Sequence, residues 1–121
     1  MDSRKFDLEE RLIDFVLKVD EIVELLPNTK LSNHLAGQLV RSCSSPALNY
    51  GEVQSAESQK DFIHKIQVIL KELRETRINL KIIKRKCWVT DKKSSEVLSE
   101  NEELIAIFAK SCKTAKSKLN S

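Results

Sequence analysis

Glycine and proline are scarce, with two of each in 121 residues. So few turn-formers cannot punctuate a many-stranded β fold, in which strands break every several residues. Aromatic residues make up only 5% of the chain, with a single Trp and a single Tyr. No stretch of about 18 uncharged apolar residues occurs, so no transmembrane helix is expected. The start, Met1-Asp2-Ser3-Arg4-Lys5, leads into an acidic amphipathic segment without an apolar run, which predicts no signal peptide. Cys43, Cys87 and Cys112 are odd in number, far apart and without a C-x-x-C pair. That usage predicts reduced thiols in a cytoplasmic protein. What is present points to an ordered helical domain. Hydrophobic residues reach 40% and the net charge is only +3, too apolar and too balanced for disorder. The length suits one domain over residues 1–121.

Hydrophobic periodicity predicts four helices, at about 6–26, 30–56, 58–86 and 95–118. In the first, Leu8, Leu12, Phe15, Val19, Ile22 and Leu26 recur at steps of three and four, the spacing of one helical face. Asp7, Glu9 and Glu10 open it, where the helix dipole favours negative charge, and Pro27-Asn28 ends it. The second carries Pro46, which predicts a kink or break, with Ser42 and Ser45 placed to satisfy freed carbonyls. The third has the clearest seam: Phe62, Ile66, Ile69, Leu73, Thr76, Leu80, Ile83 and Cys87. Ser58 and Asp61 resemble a capping box at its start. The fourth shows Val97, Leu104, Phe108, Cys112, Ala115 and Leu119, opened by glutamates and closed by lysines. Short connections between long helices predict an all-α, antiparallel up-down-up-down four-helix bundle.

Charge is unevenly spread. Residues 1–28 hold 4 basic and 8 acidic side chains, whereas residues 60–93 hold 11 basic and 4 acidic ones. The basic excess gathers in Lys81, Lys84, Arg85, Lys86, Lys92 and Lys93. Two readings stand: a surface for RNA or DNA phosphates, or charge matching against the acids of helices 1 and 4. The second helix is nearly uncharged, with only Arg41 and Glu52 between Leu31 and Ala56. Gln38, Arg41, Ser42, Ser45, Asn49 and Glu52 fall on one of its faces, beside an apolar face of Leu35, Leu39, Cys43, Tyr50 and Val53. The first set is the candidate subunit interface, because a monomeric bundle shows a charged solvated face on every helix. A plain Ser/Asn-rich solvated face is the alternative.

Chemistry-bearing patterns are missing. A di-iron bundle needs paired Glu-x-x-His motifs, and the nearest match is the single Asp61-Phe62-Ile63-His64. The cysteines sit on three different helices and do not form a zinc set; Cys87 and Cys112 fall on apolar stripes and read as core residues. Two histidines and no Gly-rich elbow argue against nucleophilic catalysis. His34-Leu35-Ala36-Gly37 faintly resembles a histidine phosphotransfer site but lacks a nearby Lys to steady a phosphate. No catalytic residue, cofactor, metal, membrane or small-molecule substrate is expected.

Several segments together are similar to one bacterial family. Phe6-Asp7-Leu8-Glu9-Glu10-Arg11 opens the likeness, followed by Arg41-Ser42, Ser45-Pro46 and Asn49-Tyr50-Gly51-Glu52. The run Ala56-Glu57-Ser58-Gln59-Lys60-Asp61-Phe62-Ile63, then Leu70-Lys71-Glu72-Leu73-Arg74-Glu75-Thr76-Arg77 and Glu102-Glu103-Leu104, continue it. In order and spacing these resemble the four-helix-bundle 23S rRNA intervening-sequence (S23-type) proteins. Ile78-Asn79 departs from the family, where aromatics are frequent. The resemblance implies a ring-like homopentamer. It also implies kinship with the accessory proteins of diversity-generating retroelements, which are basic pentamers that engage nucleic acid. The leading expectation is a non-enzymatic homo-oligomeric scaffold that binds RNA or DNA weakly. The alternatives are a structural or protein-interaction module without a nucleic-acid role and, remotely, a histidine phosphotransfer domain.

Overall fold

The computed structural model describes residues 8–120, and these form four α-helices with no strand. Helix α1 spans Leu8–Leu25, α2 Lys30–Gln54, α3 Gln59–Lys86 and α4 Asp91–Leu119. The expected first turn at Phe6 and Asp7 lies outside the described residues. Residues 26–29, 55–58 and 87–90 are the only connections among the described elements.

Caps explain the helix starts. Thr29, Ser58 and Thr90 are extended, and each side-chain oxygen accepts from the backbone N–H three residues on. Each bond satisfies one of the donors that a helix start leaves without a partner. Asp61 reaches back to the Glu57 N–H at 3.1 Å, so the box is closed one residue before the cap. The Thr90 cap also corrects the start of α4, which begins at Asp91 and not near Ser95. The first turn exposes Asp91 and Lys92 and buries only Ser94, so no apolar residue announces it.

Pro46 does not break α2, which runs unbroken through it. The missing N–H removes one rung of a 25-residue helix, while burial of Leu39, Cys43, Pro46 and Val53 holds both flanking turns. The expected serine rescue is also different. The Ser42 hydroxyl lies 2.7 Å from Thr76 Oγ1, Ser45 accepts from Asn49, and Ser44 bonds back to the Val40 carbonyl.

The core is continuous through all four helices. Phe15, Val19 and Ile22 meet Leu39, Ile66, Leu73, Leu80, Ile83, Leu104 and Phe108, all 2% exposed or less. Each such side chain contributes about 1.5–3 kcal/mol by leaving water. Tyr50 is half-buried, and its ring meets Phe108 edge-on at 6.1 Å. Leu8, Leu26 and Phe62 of the expected stripes are half-buried against the core. Two others lie elsewhere: Leu119 and Cys87 are exposed. Cys87 ends α3 in the left-handed conformation (φ 58°), its N–H bonded to the Lys84 carbonyl, so the helical stripe stops before it.

Polar groups in the core tie helices together. Thr76 Oγ1 donates to the Glu72 carbonyl, so its only proton is used and the Ser42 hydroxyl is the donor between the two. Asn101, fully buried, donates to the Leu73 carbonyl at 3.3 Å. Partners run in opposite order along α3 and α4: Lys84 meets Asp91 and Ser95, Arg77 meets Glu102, and Gln59 meets the Ala115 carbonyl. The same holds for α1 and α4, where Arg11 meets Glu100 and Glu21 meets Lys93.

Candidate self-association and nucleic-acid surfaces

The six α2 residues expected at a subunit interface do not act as one surface. Ser42 is fully buried against Thr76 and has no access to a second chain. This corrects its assignment: the small hydroxyl side chain packs inward because α3 supplies a hydroxyl partner. Arg41 finds its counter-charges inside its own chain, binding Glu72 through Nη1 and Glu75 through Nη2 at 2.7 Å. A partner across a subunit boundary is therefore not needed to satisfy it. The bond to Glu75 comes first in holding the guanidinium pKa above its ordinary value, and the same bond holds the Glu75 carboxyl below the usual carboxylate range. Asn49 donates to Ser45 at 3.0 Å within the same helix, and Gln38 and Glu52 are exposed.

The side of α2 toward α1 is different. Ile13, Val16 and Leu17 of α1 and Ser44, Ala47 and Leu48 of α2 line an open apolar groove of about 210 Å³. Leu17 is 59% exposed and Leu48 79%. Val40 on the same helix is exposed as well. Sequence reading missed this surface, although Ile13, Val16 and Leu17 are spaced as a second apolar row beside the core stripe of α1.

The basic cluster divides. Lys81, Lys84 and Arg85 line one open cavity of about 420 Å³ with Cys87, Asp91 and Leu98, between the end of α3 and the start of α4. Lys84 also donates to Ser95 at 2.9 Å and lies 3.6 Å from Asp91. The other three do not join them. Lys93 turns toward α1 and Glu21 at 3.4 Å, Lys86 sits 5.6 Å from the Trp88 ring centroid, and Lys92 is exposed. The acids expected to cancel the cluster are partly spent elsewhere. Glu100 accepts two bonds from Arg11, of which the shorter is 2.6 Å, and Glu103 lies 3.6 Å from the same guanidinium. That pairing, led by Glu100, raises the Arg11 pKa.

The remaining chemistry-bearing residues are dispersed. His34 and His64 are exposed, and their side chains make no hydrogen bond among the described residues. Asp61, the acid of the single Asp-x-x-His match, is engaged with Lys65 at 2.9 Å and with the Glu57 N–H. These bonds, with Lys65 first, hold its carboxyl below the usual range. Cys43 and Cys112 are buried, and desolvation pushes the Cys43 thiol up to about 12. No group of three or more potential metal ligands occurs among the described residues, and none of their helices is long and apolar enough to cross a membrane.

Four helices around one core, with this order of segments, match the family model described as 23S rRNA-intervening sequence protein over residues 4–110. The chain belongs to that family. A solved structure shares the fold: a Bacteroides thetaiotaomicron VPI-5482 protein of unknown function from the S23 ribosomal protein family. It is 24% identical, and the superposition has a TM-score of 0.78 over 87% of this chain and 97% of that one. No curated protein matches the chain. Within the family, the Ile78-Asn79 departure has a plain consequence: Ile78 is 54% exposed and Asn79 is buried, so the core is closed without an aromatic there.

Proposed function

We propose that this protein is a non-enzymatic scaffold. In this reading the four helices form an antiparallel up-down-up-down bundle. Copies of it assemble in the cytoplasm into a ring-like homopentamer, which presents its basic surfaces to RNA or DNA. The opposite order of partners along α3–α4 and α1–α4 supports the antiparallel arrangement. The family description associates such proteins with rRNA intervening sequences, and a polyanion is the ligand class suited to the unpaired lysines at the α3–α4 end. No catalytic group, cofactor or small-molecule substrate has a part in it.

The observation that carries the assembly is the apolar α1–α2 surface around Leu17 and Leu48. Burying those side chains head to tail against a different surface of the next copy, as a closed five-membered ring requires, removes apolar area from water. On the neighbouring face of α2 the Arg41 charge is satisfied internally, so docking does not strand that ion. Multi-angle light scattering from low to high micromolar concentration tests this. The expected molar mass is five times that of one chain. A single-chain mass at every concentration overturns the reading.

A further inference from the structure

The basic residues are better described by a groove than by a helix end. Along its border with α4, helix α3 presents Gln67, Leu70, Arg74, Arg77, Lys81 and Lys84 at steps of three and four. The facing side of α4 supplies Lys113 and Lys116 at one end, Glu102 in the middle and Asp91 at the other end. With Arg85, the groove holds seven cations and two acids. Each acid already has a partner, Glu102 in Arg77 at 3.2 Å and Asp91 in Lys84 at 3.6 Å. Arg74, Lys81, Arg85, Lys113 and Lys116 have no ion-pair partner among the described residues. Arg77 Nε is buried there without a hydrogen bond. At two other borders the described cations are matched: Arg41 meets two glutamates across α2–α3, and Arg11 and Lys93 meet glutamates across α1–α4.

We propose that a single strand of nucleic acid lies lengthwise in the α3–α4 groove, its phosphates on Arg74, Lys81, Arg85, Lys113 and Lys116. The proposal rests on the nucleic-acid part of the reading above and names where that ligand lies. Geometry selects the strand. From Gln67 to Arg85 the groove runs about 27 Å at 1.5 Å per residue, room for about eight stacked nucleotides at roughly 3.4 Å each. Packed helices stand about 8–10 Å apart, so the valley between them admits one backbone, while a duplex meets only its rims. Two open cavities of about 340 and 420 Å³ flank the Arg77–Glu102 pair along this line. An acidic helical peptide fits less well, because helix-in-groove binding needs apolar anchor pockets. Here the apolar lining is limited to Leu70, Cys87, Leu98, Ala109 and Cys112, of which Leu70 and Cys112 are buried. No aromatic side chain lines the groove, so binding is sequence-tolerant, with arginine and lysine contacting phosphate and not reading bases.

The test is a fluorescence-anisotropy titration of labelled oligouridine and oligothymidine of about ten nucleotides, at low and moderate salt. Two triple variants stand beside the wild type. Arg74→Ala/Lys113→Ala/Lys116→Ala empties the groove end far from the original cluster. Lys86→Ala/Lys92→Ala/Lys93→Ala removes the three cluster residues that lie off the groove. All six side chains are exposed or partly so, and thermal melts confirm that both variants fold. The groove variant is expected to bind about tenfold more weakly, with a salt slope smaller by about two, the loss of three phosphate contacts. The off-groove variant is expected to stay within about twofold of wild type, and RNA and DNA to bind alike, since phosphates carry the contacts. If the off-groove variant loses affinity and the groove variant does not, the track is wrong while nucleic-acid binding stands. No wild-type binding at low salt overturns that underlying reading as well. Equal affinity for a duplex, or equal competition by polyglutamate, overturns the single strand as the groove's ligand.

Discussion

Leu73→Ala is expected to lower the free energy of unfolding by about 2–5 kcal/mol, the range for removing a buried leucine from a core that only partly collapses. Leu73 is fully buried on α3, the helix that borders both α2 and α4. Its backbone carbonyl accepts from Asn101, which is itself fully buried. That bond pins α3 to α4 at the level of the missing side chain and limits how far the helices can close the gap. The cavity term therefore adds to the lost transfer energy. Urea denaturation with unchanged slope checks the value. A loss under about 1 kcal/mol contradicts the core placement of Leu73.

The second large effect concerns mass and not folding. Leu17→Glu combined with Leu48→Glu is expected to convert the assembly to single chains with unchanged helical content. In the isolated chain both side chains are mostly exposed, so the substitutions cost within about 0.5 kcal/mol each. Within an assembly through the α1–α2 face they bury two unpaired carboxylates per copy, each costing several kcal/mol. Light scattering reads the outcome directly. Gln38→Ala with Glu52→Ala, on the polar strip, is the control and is expected to keep the wild-type mass. If the control dissociates and the apolar variant does not, the strip around Gln38, Ser45, Asn49 and Glu52 is the interface.

The seam of α3 was legible because Ile66, Ile69, Leu73, Thr76, Leu80 and Ile83 keep helical spacing, and all six are buried. The Ser58 cap was legible for the same reason, since its partner Asp61 lies three residues away. Features set by distant residues were not. Ser42 looks like a surface serine until Thr76, 34 positions on, supplies its partner. Arg41 looks unpaired until Glu72 and Glu75 arrive from α3. Cys87 keeps the period of the stripe, but the backbone has already left the helix, and periodicity does not register a left-handed cap. The basic surface was legible as an excess within residues 60–93 but not as a groove. Lys113 and Lys116 come from another helix, and Lys93 leaves for Glu21 on a third. A count along the chain mixes faces that the fold separates.

The central claim is a division of labour, in which the apolar α1–α2 face assembles copies while each copy's α3–α4 groove takes phosphates. One comparison tests it most directly: RNA affinity of the assembled wild type against the Leu17→Glu/Leu48→Glu variant, with an oligonucleotide long enough to span several grooves. The two proteins share the same groove and differ only in how many are held together. Linked sites bind with an avidity about 10²–10⁴-fold above that of one site where the strand reaches them together. The account predicts that the variant binds the long strand at least about tenfold more weakly and a strand of about ten nucleotides equally well. Equal affinity of both proteins for the long strand contradicts it.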